Sequence, residues 1–101
     1  MNGRLESGTD APDDGERTEV LATARGVMVE QILSGVLLAP QDYDQDHDEW
    51  VVVLAGAAVL EVEGSTHEVR AGDWWLLPAG TRHRVVRTEP GTSWLAVRST
   101  A

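Results

Sequence analysis

The sequence predicts an all-β fold, and three observations carry that prediction. From residue 18 onward, runs dense in Val, Leu and Trp are interrupted by turn signals every six to twelve residues, the spacing of a sandwich or barrel. Apolar and polar residues alternate with period two in 60–63 and 66–70, as strands with one buried face require. Dipeptides built on Gly or Pro fall between the runs, each suited to a definite turn. Around nine short strands in some 80 residues fit a small closed or nearly closed barrel.

Taken in order, residues 1–17 are rich in Gly, Asp, Glu, Ser and Thr, with only Met1, Leu5 and Ala11 as apolar side chains. Such a segment buries too little to offset ordering and is expected to be a disordered acidic tail, leaving 18–101 as a single domain. Residues 18–24 suit either a strand or the start of a short helix. Residues 26–33 and 36–39 read as strands, and 26–33 is the expected edge strand for pairing with a second subunit. Further on, Gly64-Ser65 suits a type II′ hairpin turn. Gly72 ends a strand at Arg70, Pro78-Ala79-Gly80 separates 74–77 from 82–87, and Pro90-Gly91 suits a type II turn before 93–98.

Composition narrows the function. Net charge is −9, with −3 in residues 1–17 and −6 in the remainder. That balance repels nucleic-acid backbones and anionic lipid, so neither is an expected partner. The absence of cysteine removes disulfides and thiolate metal sites, and the absence of lysine removes Schiff-base chemistry. The longest apolar run, residues 50–60, is bracketed by Glu49 and Glu61 and is too short to span a bilayer as a helix. A soluble cytoplasmic protein is expected. Phosphate-cradling loops, a Gly-x-Ser-x-Gly elbow and His-Glu-x-x-His are all missing.

The chemistry concentrates in two stretches. Gly72, Pro78, Gly80 and His83 form the pattern G-x5-P-x-G-x2-H. Residues 42–49 read Asp-Tyr-Asp-Gln-Asp-His-Asp-Glu, with Asp42, Asp44, Asp46 and Asp48 on one face of an extended chain and Tyr43, Gln45, His47 and Glu49 on the other. Four aspartates demand water, so Tyr43 and Gln45 should face inward. Glu49 stands seven residues before Gly56.

Over roughly residues 26–99 the chain resembles the cupin family, whose second motif is the Gly72–His83 pattern and whose first motif is G-x5-H-x-H-x3,4-E-x6-G. Glu49 and Gly56 match the end of the first motif, while Tyr43 and Gln45 stand where its two histidines belong. Arg87 replaces the asparagine usual four residues after the second-motif histidine. The combination looks like small single-domain bacterial cupins of the RmlC-like superfamily that carry Tyr and Gln at these places. The resemblance implies a double-stranded β-helix, a jelly-roll-like small barrel, as a homodimer with a small-molecule pocket.

In that frame Glu49, His83 and Tyr43 are candidate catalytic residues, and Tyr43, Gln45 and Arg87 candidate ligand contacts. His83, Glu49 and Gln45 are the candidate ligands of one divalent metal (Fe, Mn, Ni or Zn), with a metal-free site as the alternative. Each also has a plainer reading. His83 could organise the interior through Glu49, and Glu49 could pair with Arg82, Arg84 or Arg87. Tyr43 and Gln45 could be pocket wall. Arg87, sharing strand parity with His83 and Val85, is expected to point inward, towards an anionic ligand or Glu49. His47 and His67 are expected at the surface. Of the four tryptophans, most are expected in packing, with Trp74 and Trp75 facing opposite ways. The function expected is small-molecule binding, with a metal-dependent isomerase, lyase or dioxygenase as the alternative.

Overall fold

The hairpin turns set the strand registers. In a computed structural model, residues 1–43 and 45–100 are described; Asp44 of the acidic run lies outside them. Nine strands are present among the described residues. They are β1 (Glu16–Ala24), β2 (Val27–Ser34), β3 (Gln41–Tyr43), β4 (Glu49–Ala55), β5 (Ala57–Val62), β6 (Ser65–Arg70), β7 (Trp74–Leu77), β8 (His83–Thr88) and β9 (Thr92–Ser99). They form a five-stranded sheet, β1-β2-β9-β4-β7, and a four-stranded sheet, β3-β8-β5-β6. Every strand pair is antiparallel. No strand is shared between the sheets, so the fold is an open jelly roll and not a closed barrel.

The β5–β6 turn sits one residue earlier than the sequence suggested. Val62 pairs with Ser65, and the two turn residues, Glu63 (φ 48°) and Gly64 (φ 84°), both have positive φ. That is the signature of a type I′ turn, whose twist matches the flanking strands. Gly91, at φ 81°, and the Thr92 N–H donating to the Glu89 carbonyl (3.2 Å) agree with the expected Pro90-Gly91 turn.

Inward side chains from both sheets make one core. Val51, Val53, Leu77, Trp94 and Ala96 come from the larger sheet, and Ala58, Leu60, Val69 and Val85 from the smaller. Fully burying a Val or Leu is worth about 1.5–3 kcal/mol, so this cluster is the main source of cohesion. Trp94 also donates its indole N–H to Ser34 Oγ at 3.1 Å, so the polar atom of this core ring is partnered. Gly56 (φ 83°) is required where β4 turns into β5, because a Cβ there would lie 2.6 Å from Thr92 Oγ1.

Several expectations are corrected. Residues 18–24 belong to strand β1, which begins at Glu16, inside the segment expected to be a tail. Residues 6–15 do not behave as a free tail. They carry a 3-10 turn at Gly8–Asp10 and run over the outer face of the larger sheet. There Gln31 is 0% exposed. Its amide donates to the Glu6 carbonyl (3.0 Å) and Ser93 Oγ (2.9 Å) and accepts from the Glu6 N–H (2.9 Å). Arg17 adds an ion pair to Glu6 at 3.0 Å. A buried amide needs partners, and composition alone did not reveal that the segment supplies them.

The predicted strand at 36–39 is reduced to a bridge between Val36 and Asp14. Strand β2 is flanked by β1 and β9, so residues 26–33 are interior; the sheet edges are β1 and β7. Among the described residues no helix is long and apolar enough to cross a membrane.

Candidate functional site

Polar side chains face the core at one end of the molecule, where the sheets splay around a cavity of about 190 Å³. Strand periodicity puts them there. Glu49 opens β4 in phase with Val51 and Val53, and His83 opens β8 in phase with Val85. Tyr43 ends β3 directly opposite His83. All three line the cavity together with Gln45, over an apolar floor that includes Val51, Leu60 and Trp94.

His83 is only 8% exposed. Its Nδ1 lies 3.1 Å from the Thr81 carbonyl. A carbonyl only accepts, so Nδ1 carries the proton, and Nε2 of the neutral ring is left as an acceptor. No partner for Nε2 is found among the described residues. The ring stacks on Tyr43, with centroids 5.2 Å apart and planes within 9°.

Glu49 lacks a cationic partner among the described residues. Arg98 is its cross-strand neighbour, but that guanidinium is drawn to Glu30 at 3.1 Å. Arg84 is held by Asp42 at 2.6 Å and lies near Glu61 at 3.8 Å, on the solvent side.

Arg87 does not enter the cavity. Val59 pairs with Arg87 and Leu60 with Val85, so β8 carries an extra residue at Val86. This bulge inverts the alternation: Thr88 becomes buried and Arg87 exposed. Counting by twos from His83 failed at that irregularity.

The cavity contains a residue that sequence reasoning missed. Glu16 of β1 lines it, and the Tyr43 hydroxyl lies 3.2 Å from Glu16 Oε2 and 3.0 Å from Gln41 Oε1. Burial pushes the Glu16 carboxyl above its ordinary range, against the opposing effect of hydrogen bonds from Tyr43 and Ser34. Tyr43 is also pushed up, first by burial and then by the charge of Glu16, its hydrogen bond to Glu16, and the charge of Glu49. It therefore stands as a phenol. The one available signal was the phase of Glu16 with Thr18 in a run that ends as a strand, but assigning residue 16 to a tail concealed it.

His47 is half-buried, its Nε2 enclosed without a partner among the described residues and its Nδ1 3.4 Å from Asp46, and it does not line the cavity. His67 packs on Trp75 at 4.6 Å and is half-buried; neither histidine is the free surface residue expected. Trp74 is 61% exposed on the outer face, beside Trp50, while Trp75 packs against the core. Asp48 Oδ1 accepts from the Ala79 N–H at 2.8 Å, tying the β3–β4 connection to the loop before His83.

The donor set does not make a metal centre. Among the described residues no three His, Asp or Glu side chains converge as ligands. Gln45 offers a neutral amide, and Tyr43 is a hydrogen-bonded phenol and not a phenolate.

The cupin-domain family model matches residues 28–97. The chain belongs to the cupin family. Its β1 strand and Glu16 precede the matched region. A protein of Ralstonia eutropha JMP134 provisionally named a mannose-6-phosphate isomerase is 34% identical, with 98% of this chain and 100% of that one covered and a TM-score of 0.75. KdgF of a Halomonas species shares the fold at 22% identity, with 86% and 82% covered and a TM-score of 0.74. A cupin superfamily protein of Desulfitobacterium hafniense DCB-2 does so at 14% identity, with 100% and 94% covered and a TM-score of 0.76. The endoribonuclease YbeY of Myxococcus xanthus is 33% identical over 85 residues, 78% of this chain but 29% of that protein's length.

Proposed function

We propose that this cupin binds a small organic molecule in the cavity between its sheets, with Glu49 and His83 as the polar anchors. The observation that carries the reading is that Glu49 and His83 both line the cavity while, among the described residues, neither the Glu49 carboxylate nor the Nε2 of His83 has a hydrogen-bond partner. A folded chain rarely leaves such groups unsatisfied unless a ligand or ordered water meets them. Tyr43 and Gln45 form the wall, and Trp94 the floor. An engineered cavity of about 150 Å³ holds benzene, so this one suits a ligand of about six to ten heavy atoms. A fragment library screened by amide chemical shifts should give hits that converge on Tyr43, Glu49, His83 and the Trp94 indole, and that weaken in His83→Ala. Hits confined to the outer faces would refute the reading.

A second reading, an enzyme moving a proton, is favoured by Glu16. A carboxyl that keeps its proton to higher pH and an imidazole whose Nδ1 is held by the Thr81 carbonyl line one cavity, the pieces of an acid and a base. The provisional name of the Ralstonia relative points the same way. Elemental analysis of untagged protein tests the metal-dependent alternative directly: stoichiometric Fe, Mn, Ni or Zn would overturn the metal-free reading.

A further inference from the structure

Resting on the reading of the cavity as a small-molecule site, the chemistry of its lining limits what that molecule can be. Three carboxylates line it, from Glu16, Glu30 and Glu49, against the single guanidinium of Arg98. That guanidinium is spent on Glu30, at 3.1 Å, and also touches Met28 Sδ. The other arginines once expected here face elsewhere: Arg84 is paired outside with Asp42, and Arg87 is exposed.

What remains open is a set of acceptors. Glu49 Oε1 and Oε2 have no donor among the described residues, and a carboxylate accepts only. His83 Nε2 accepts as well, because its partner nitrogen holds the ring proton against Thr81. Among the described residues Glu16 receives the Tyr43 hydroxyl and Ser34, which leaves acceptor capacity when it is ionised. The stacked Tyr43 and His83 rings add an aromatic wall beside these atoms.

We infer that the ligand is a small organic cation bearing a primary ammonium, seated with its N–H groups on Glu49 and His83 Nε2, with Glu16 adding negative charge to the same cavity, and its carbon body on the Val51–Leu60–Trp94 floor. An ammonium offers three donors and no acceptor, the complement of this lining. Its charge complements the Glu49 carboxylate, which no guanidinium pairs among the described residues. A phosphate or carboxylate would bring more acceptors and more negative charge to the same atoms. Anionic ligands, phosphorylated sugars among them, are therefore excluded.

Three near-isosteric probes separate the possibilities: cyclohexylamine, cyclohexanol and cyclohexanecarboxylate. Each is titrated at millimolar concentration and pH 7.5, followed by amide and indole chemical shifts. The amine should bind at least about tenfold tighter than the alcohol, since its hydrogen bonds are charge-assisted, and the carboxylate should not bind. Glu49→Gln should remove that advantage, weakening the amine by a much larger factor than the alcohol, and Arg87→Ala, outside the cavity, should alter nothing. Thermal melts verify that both variants fold, and Glu16→Gln supplies an independent loss of amine affinity. An alcohol or carboxylate that binds as tightly as the amine, or an amine indifferent to Glu49→Gln, sinks the cation inference and leaves the cavity as a binding site. If none of the three shifts a cavity resonance, both readings fail together.

Discussion

Gln31 and the Glu49–His83 pair are both interior polar groups, yet they are treated in opposite ways. Under the N-terminal segment every polar atom of the Gln31 amide group is engaged, by Glu6 and Ser93. Between the sheets, Glu49 and His83 line the cavity, and among the described residues neither Glu49 nor His83 Nε2 has a partner. Closed polar groups hold the fold together and open ones await something. The contrast separates architecture from site without reference to any relative.

The comparison predicts opposite responses to mutation. Gln31→Ala should be the most damaging change, since it strands the Glu6 backbone N–H and carbonyl and removes packing. A loss on the order of 2–4 kcal/mol is expected in denaturant titration, with the cavity resonances unchanged. Glu49→Gln and His83→Ala should shift stability by no more than about 1 kcal/mol, while Glu49→Gln abolishes the preference for the amine. If Glu49→Gln were as destabilising as Gln31→Ala, the carboxylate would be structural and the contrast would collapse.

Glu16 sharpens the contrast through pH. The folded chain holds that proton to a higher pH than the unfolded chain, whose carboxyl has an ordinary value near 4.5. The stability it contributes is therefore complete below that value and is lost as pH rises through the folded one. Glu16→Gln should melt above wild type at pH 7.5, and the gap should close as the pH approaches 4.5. A gap that widens on acidification would show that Glu16 is stabilised as the anion. Arg87→Ala, last and smallest, should move stability by less than about 0.5 kcal/mol.

How much of this was legible in the chain depended on locality. Turn chemistry is local, so Pro90-Gly91 and the break at Pro78–Gly80 could be read directly, as could the opposite facing of Trp74 and Trp75. The co-location of Tyr43, Gln45, Glu49 and His83 was implied by the resemblance to the two cupin motifs, and the structure places all four around one cavity. Parity then failed at Val86, because a bulge is a property of the β5–β8 pairing and not of the β8 sequence alone. The ordering of residues 6–15 was equally hidden. It depends on Gln31, 25 residues beyond Glu6 in sequence, needing two backbone partners. With that segment misread, Glu16 was lost from the site.

The ring-nitrogen resonances of His83 test the central claim without any ligand. In the neutral ring, two-bond proton–nitrogen correlation should show Nδ1 protonated and Nε2 bare, an acceptor turned towards the cavity. A neutral ring protonated at Nε2 instead would make His83 a donor there, and the cavity could not be the acceptor-lined site described.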